Sequence, residues 1–240
     1  MSLIKKCLHY HFGSLRHLTD DQCKELLTHF RTQSPTGASI LGGRAPVITT
    51  AITGLGPVVI KQYLRGGLMR FFIKNRYFKC GKTRSQVEYE LMHKIRRLGI
   101  CTPEPIAYAY RGFPLYLAWL ITRKIKRAST LAELSRHDIN RVTSIMGKVI
   151  EQIARLIECR FRHVDLHPGN ILVDSDNNIY IIDFDKGYFS STRREKLYEI
   201  YCKRWQRSVI KHRLPAILDE MLQKGLHQNF ESCNQGRVSS

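Results

Sequence analysis

The sequence lacks several features, and each absence excludes a class of protein. No apolar run approaches the roughly eighteen residues of a membrane-spanning helix. The first residues, MSLIKKCLHYHFGSL, lack the apolar core of a signal peptide, so we expect no secretory leader. The seven cysteines form no C-x-x-C pair, which argues against a zinc site or disulfide framework and favours reduced, cytosolic thiols. What remains is a 240-residue globular unit without internal repeats.

Acidic residues are also scarce. There are 20 Asp and Glu against 39 Lys and Arg, a formal net charge of +19. Such an excess indicates an acidic partner, either nucleic acid, a phosphorylated substrate or anionic lipid. The charge is concentrated in residues 61–97, with eleven basic residues against two acids, and in residues 193–213, with eight against two. Aromatic residues interleave the first cluster, a mixture found at membrane interfaces, on RNA-binding surfaces and in ordinary solvated loops.

The most informative segment is His163–Asp185, HVDLHPGNILVDSDNNIYIIDFD. Its pattern H-x-D-x-x-x-x-N followed by I-D-F matches the catalytic loop and metal-binding Asp of protein kinases in type and spacing. Phosphoryl transfer needs a carboxylate to orient the attacking hydroxyl and oxygen ligands to hold magnesium against the phosphates. The pattern predicts Asp165 for the first task and Asn170 and Asp183 for the second.

The local pattern around these residues predicts a β-hairpin. Two short apolar strands, 171–173 and 179–182, flank the polar turn 174–178. Asn170 stands at the entrance of the hairpin and Asp183 at its exit, so the turn brings both ligands to one end. The alternative is an ordinary hairpin with acidic ends.

A lysine for the ATP phosphates is expected upstream on a strand. Pro57–Tyr63 reads PVVIKQY, and its V-V-I-K resembles the V-A-I-K signature, which predicts Lys61 as this residue. A glycine loop should precede the strand. The full G-x-G-x-x-G is absent, and we assign the loop to Gly42 and Gly43. The later pair, Gly54 and Gly56, is more typical of a turn between strands.

The lysine needs a glutamate partner on a helix. Residues 84–98 carry apolar residues at one-faced helical spacing, Val87, Leu91, Ile95 and Leu98, and Gly99 follows them. Glu88 and Glu90 are the only acids in this helix. We choose Glu88, and Glu90 stays an alternative.

Two further elements complete the order of a kinase. The apolar strand 113–121 runs into residues 122–126, where a kinase places its hinge. Residues 139–157 predict a long amphipathic helix that leads into the catalytic loop. Near the N-terminus, Thr19 to Gln22 form a capping-box start for a helix that reaches Phe30.

These motifs together resemble one family. GGRAPV, VVIKQYLRGGL, EYELM with GICTPEPI, HVDLHPGNILVD and IIDFDKG are similar to the 3-deoxy-D-manno-octulosonic acid (Kdo) kinases, within the lipopolysaccharide kinase family of Gram-negative bacteria. The resemblance covers roughly residues 40 to 215. YLRGG and DFDKG are more particular to this family than the catalytic motif. The form D-L-H-P-G-N is also common in aminoglycoside and choline phosphotransferases.

The resemblance implies an α+β, protein-kinase-like fold with two lobes, the first small and β-rich and the second mostly helical. We expect an N-terminal helical extension over 1–34, the first lobe over 35–126, the second over 127–226 and a disordered polar tail over 227–240. The implied cofactors are ATP and Mg²⁺, with Mn²⁺ as an alternative. By motif position, Asp165 is the catalytic residue, Asn170 and Asp183 are the metal ligands, and Lys61, Glu88, Gly42 and Gly43 bind the nucleotide.

The implied reaction is ATP-dependent phosphorylation of a Kdo hydroxyl on a lipid A precursor. It takes place at the cytoplasmic face of the inner membrane, with the protein bound peripherally to an anionic surface. A protein kinase is an alternative, although no A-P-E signature follows Asp183. Small-molecule phosphotransferases and a non-catalytic module for anionic surfaces are others. Nucleic acid is the less favoured partner. His167 can contact substrate or phosphate, or serve as a scaffold that bonds the backbone.

Overall fold

The computed structural model describes residues 2–31, 47–63, 77–78 and 81–238. This part of the chain forms two compact units. One contains the residues up to His93 together with Pro103–Lys124, and the other contains Lys94–Thr102 together with the residues from Ile125 onwards. The first is mainly β-sheet and the second mainly helical, which confirms the predicted α+β, kinase-like class. The limits of the lobes, 35–126 and 127–226, stay predictions.

Six antiparallel strands make the main sheet of the first unit. In spatial order they are β1 (Leu3–Cys7), β2 (Tyr10–Ser14), β6 (Pro105–Arg111), β7 (Leu115–Arg123), β4 (Gly56–Gln62) and β3 (Val47–Ile52). A two-residue strand, β5 (Tyr77–Phe78), also pairs with β7. Gly54 and Gly56 lie at φ +75° and +76° around the β3–β4 turn, which confirms their interpretation as turn glycines.

The N-terminal region contains more than the predicted helical extension. Helix α1 (Asp20–Arg31) is present, and its capping box is formed, because Thr19 and Gln22 exchange side-chain to backbone hydrogen bonds of 3.0 and 3.2 Å. However, β1 and β2 precede the helix, and β2 pairs with β6 across some ninety residues of sequence. A wholly helical extension was therefore wrong.

Aromatic packing explains why these strands join the sheet. Tyr10 and Phe12 alternate along β2 and are both buried. The Phe30 ring of α1 stacks on Trp119 of β7 with ring centroids 4.5 Å apart, and Tyr10 contacts both rings. The N-terminal residues thus form one side of the core of the first unit.

Helix α2 (Arg84–Arg97) confirms the predicted helix, and Gly99 follows it at φ +78°. Its buried face differs from the predicted one, because Val87 and Leu98 are exposed. The buried positions are instead Ser85, Glu88, Tyr89, Met92 and Ile95. The periodicity of apolar residues misplaced the face because two inward positions are polar.

The second unit contains four helices: α3 (Leu131–His137), α4 (Ile139–Glu158), α5 (Arg194–Lys211) and α6 (Ile217–Val238). Two small sheets accompany them. One has the order β11 (Ile179–Ile181), β10 (Ile171–Val173), β8 (Ser129–Thr130), and the other pairs β12 (Tyr188–Phe189) with β9 (Phe161–Arg162). The predicted long helix and hairpin are both confirmed, as α4 and β10–β11.

The C-terminal tail is helical where we expected disorder. Helix α6 continues through the predicted tail, 227–240, as far as Val238. Its leucines at 218, 222 and 226 are spaced by four and buried, and the Trp205 Nε1–H donates to the Leu218 carbonyl at 3.1 Å. This anchored first half supports the polar second half. Among the helices of the described residues, none combines the length and apolar character needed to cross a membrane.

Candidate active site

The first unit holds the predicted phosphate lysine in a fixed ion pair. Lys61 lies near the end of β4, and its Nζ is 3.2 and 3.3 Å from the two carboxylate oxygens of Glu88 on α2. The Tyr63 hydroxyl also donates to Glu88, whose side chain is only 3% exposed. The alternative acid, Glu90, pairs with Lys82 at 2.6 Å instead. The pairing of Lys61 with Glu88 is therefore confirmed, while their role in nucleotide binding stays a prediction.

Strand alternation explains the position of Lys61. Val58 and Ile60 of β4 face the buried core, so Lys61 points to the opposite face of the sheet. Tyr63 continues the pairing beyond the strand, because its N–H donates to the Ala118 carbonyl of β7 at 3.0 Å. The predicted glycine loop, Gly42 and Gly43, lies outside the described residues.

In the second unit, backbone hydrogen bonds hold the catalytic loop to the hairpin. The Asn170 side-chain amide donates to the Asp165 carbonyl at 2.8 Å, and the Asn170 carbonyl accepts from the Ile182 N–H at 3.0 Å. Asp183 follows directly after Ile182. The structure therefore places Asp165, Asn170 and Asp183 within one hydrogen-bonded segment, as the hairpin pattern predicts.

Asp183 has an unusual backbone conformation. Its φ is +65°, in the left-handed region that a non-glycine residue enters at a cost of about 1–2 kcal/mol. The turn that follows is closed by a 2.9 Å hydrogen bond from the Gly187 N–H to the Phe184 carbonyl. Gly187 cannot carry a side chain here, since a Cβ atom would lie 2.6 Å from the Phe161 ring. Strain of this kind is concentrated at functional sites.

His163 joins the catalytic loop to the Asp183 segment. It is buried, and its Nε2 lies 3.0 Å from the Ile182 carbonyl oxygen. Because a carbonyl only accepts, Nε2 must carry the proton. The ring also packs edge-on against Phe184, with centroids 5.0 Å apart. His163 therefore positions the residues on both sides of Asp183.

Helix α5 contributes two residues that sequence reasoning missed. The buried Tyr201 hydroxyl accepts from the His163 N–H at 2.8 Å and donates to the Phe161 carbonyl at 2.7 Å. Burial raises the pKa of Tyr201 well above its usual value, so its hydroxyl stays protonated. One turn later, Arg204 Nη2 donates to Asp165 Oδ1. The only sequence signal was the basic cluster of residues 193–213.

His167 lies on the other side of the Asp165 carboxylate. Its Nδ1 accepts a hydrogen bond from the Gly169 N–H at 3.1 Å, so the scaffold contact expected for this residue is present. Burial, followed by the nearby His212, lowers the pKa of His167 to about 4. The neutral ring therefore carries its proton on Nε2, which lies 3.8 Å from Asp165 Oδ2.

The donor set suits magnesium. Asn170 and Asp183 offer an amide oxygen and carboxylate oxygens, which are hard ligands, and Mg²⁺ usually takes its other ligands from water and phosphate. The described part of the chain has no group of three or more His, Cys, Asp or Glu arranged to hold a metal by themselves. A site completed by nucleotide phosphates is consistent with this set.

A lysine–glutamate pair beside a β-sheet, together with a D-x-x-x-x-N loop and a hairpin ending in Asp, defines a kinase-like fold. The model of the lipopolysaccharide kinase (Kdo/WaaP) family matches residues 47–216. The chain belongs to this family. The match contains every residue of the site described above.

Curated relatives agree with this assignment. The chain is 36% identical to a 3-deoxy-D-manno-octulosonic acid kinase of Vibrio vulnificus over 133 residues, covering 54% of the chain and 56% of the relative. It is 32% identical to one of Xylella fastidiosa over 161 residues, covering 61% and 62%. It is 33% identical to one of Vibrio cholerae over 133 residues, covering 54% and 56%. The chain thus spans between half and two thirds of the length of these relatives.

Proposed function

We propose that this protein transfers a phosphoryl group from ATP to a Kdo hydroxyl on a lipid A precursor. The observation that carries the proposal is the segment in which Asp165, Asn170 and Asp183 are joined by hydrogen bonds, inside a chain of the Kdo/WaaP family. The curated relatives are Kdo kinases by name, which suggests the acceptor.

Asp165 is the proposed base that orients the acceptor hydroxyl. Its side chain is 46% exposed, so an acceptor can reach it. Arg204 and His167 approach its two oxygens from different directions and fix the orientation of the carboxylate. Changing Asp165→Ala should lower turnover by about a hundredfold or more, while ATP binding stays nearly intact. Turnover near that of wild type would remove Asp165 from this role.

Asn170 and Asp183 are the proposed magnesium ligands. A bound Mg²⁺ would neutralise the charge on the nucleotide phosphates. The chain's own task is to present the two oxygen ligands from a rigid hairpin, and the Asn170–Ile182 backbone bond provides that rigidity. In calorimetric titrations, Asp183→Asn should weaken the magnesium dependence of nucleotide binding. An unchanged affinity and metal requirement would refute the assignment, and Asp176→Asn in the hairpin turn is the matched control.

Lys61 is the proposed contact to the ATP phosphates. Glu88 holds its ammonium group in place, and Tyr63 in turn holds Glu88. The proposed glycine loop at Gly42 and Gly43 would cover the phosphates with backbone N–H groups. Lys61→Met should weaken ATP binding and turnover. Lys82→Met, which removes the partner of Glu90, should change neither.

An acceptor screen separates this function from the alternatives. Purified protein with Mg²⁺ and ATP should phosphorylate Kdo-lipid A and leave aminoglycosides, choline and generic protein substrates unmodified. Phosphorylation of a protein or an aminoglycoside alone would favour those kinase classes. The absence of transfer to any acceptor, despite binding to anionic surfaces, would favour the non-catalytic module.

We also propose that the protein meets its acceptor at the cytoplasmic face of the inner membrane. The predicted contact, residues 63–82, lies mostly outside the described residues. The described surface offers a second one in the β1–β2 hairpin, where Leu3, Ile4 and Leu8 are exposed beside Lys5 and Lys6. Apolar side chains flanked by lysines are typical of membrane interfaces.

Vesicle sedimentation tests this contact. Each basic residue near an anionic leaflet adds about 1 kcal/mol, and the gain fades with salt. Two variants separate the surfaces: one changes Arg70, Lys74, Arg76 and Lys79 to Glu, and the other changes Leu3, Ile4 and Leu8 to Ser. Wild type should bind anionic vesicles in a salt-dependent manner and at least one variant should not. Equal binding to neutral vesicles would contradict membrane recruitment by charge.

A further inference from the structure

Helix α5 presents a row of basic residues next to Asp165. Arg204, Arg207 and Lys211 are spaced three and four apart, so they share one face of the helix. Arg204 is half-buried and contacts Asp165, whereas Arg207 and Lys211 are exposed. We call these three residues the α5 basic row. Within the described ranges, no salt bridge joins Arg207 or Lys211 to an acid.

Further positive charge surrounds the row. His212 follows Lys211 at the end of α5, and its carbonyl accepts a 3.0 Å hydrogen bond from Arg136 of α3. The effects of these charges are visible in several groups. Burial, then Lys211 and Arg136, lower the pKa of His212, and burial followed by Arg207 lowers that of Arg204. These cations destabilise one another, and a bound anion would relieve their repulsion.

Balancing the charge of Asp165 does not account for the whole row. One carboxylate needs one cation, and Arg204 already contacts it. Arg207 and Lys211 add two more positive charges on the same face, and Arg136 a third nearby. In addition, the buried Arg204 Nε has no hydrogen-bond partner among the described residues. The surplus of donors and charge beside the proposed base is suited to an anionic ligand.

We propose that the α5 basic row binds the acidic group of the acceptor, the carboxylate of the sugar acid, and thereby selects acidic sugars for phosphorylation. The inference rests on the proposed function, since it takes the acceptor hydroxyl to lie at Asp165. A sugar acid carries its carboxylate and its hydroxyls on one small molecule, so a cation adjacent to the base is within reach of the acid. Arginine is the side chain best suited to this task, because its planar fork donates two parallel hydrogen bonds to a carboxylate.

Acceptor kinetics and direct binding test the row. Arg204 also contacts Asp165, so the informative variants are Arg207→Gln and Lys211→Gln. Each should raise the KM for the acceptor about tenfold, the usual effect of losing a charged hydrogen bond, with little change in kcat or in the KM for ATP. Lys196→Gln, the same change on the first turn of α5, is the matched control. The Kdo carboxamide should be a similarly poor acceptor for wild type, and the variants should no longer discriminate it from Kdo.

The outcomes are distinct. Variants that still prefer Kdo over its carboxamide, like wild type, would overturn the proposal. Selective loss of affinity for inorganic phosphate, with Kdo binding unchanged in calorimetry, would also overturn it in favour of a lipid phosphate as ligand. If wild type binds free Kdo through the row but transfers no phosphate to any Kdo acceptor, the proposed function fails and the acid site stands.

Discussion

The Tyr201 hydroxyl is the single group whose removal best tests the architecture of the catalytic loop. It bridges the His163 N–H and the Phe161 carbonyl at 2.8 and 2.7 Å within the buried core. Tyr201→Phe keeps the ring, so it creates almost no cavity, but it leaves both backbone groups without this partner. Each buried group left unsatisfied costs about 1–3 kcal/mol, so we expect a loss of about 2–4 kcal/mol.

Hydrogen exchange at the His163 amide measures this loss directly. A local destabilisation of about 2 kcal/mol corresponds to roughly thirtyfold faster exchange, because 1.4 kcal/mol is a factor of ten. Turnover should fall too, because the same loop positions Asp165. Tyr198→Phe removes a less buried hydroxyl from the same helix and is the control. If exchange at His163 changed less than about twofold, α5 would not be fastening the loop and the reasoning would be refuted.

Three other changes probe separate parts of the site. Glu88→Gln should weaken the hold on Lys61, lowering turnover more than stability, as measured by kinetics and urea unfolding. Burial would raise the pKa of Asp174, but hydrogen bonds from Asn178 and its neighbours outweigh this and lower it below the usual 3.8. Its stabilisation should therefore be complete above about pH 4 and be lost as pH falls through the lower folded pKa, and Asp174→Asn should flatten that part of the acid-unfolding curve. Gly187→Ala should destabilise the protein in thermal unfolding, because its Cβ would collide with Phe161.

Elements with local signals could be predicted from the sequence. The hairpin, the long helix α4 and the order of Lys61, Asp165, Asn170 and Asp183 follow from residue spacing alone, and the structure confirms both elements. The Lys61–Glu88 pair could be predicted because α2 contains only two acids, although its buried face was misassigned.

Contacts between distant residues could not be predicted in the same way. Strand β2 is short and pairs with β6, far along the chain, so no local pattern reveals its partner. The Tyr201–His163 and Arg204–Asp165 contacts join residues 38 and 39 positions apart. The basic cluster at 193–213 indicated that α5 was unusual, but only its packing shows that it faces the catalytic loop.

Phosphate transfer to a Kdo acceptor tests the central claim most directly. Purified full-length protein is incubated with Mg²⁺, ATP and Kdo-lipid A, and mass spectrometry of the lipid product locates any added phosphate. We predict one added phosphate on the Kdo sugar, formed by wild type and at least about a hundredfold more slowly by Asp165→Ala. A product phosphorylated elsewhere, or equal product from the Asp165 variant, would contradict the account.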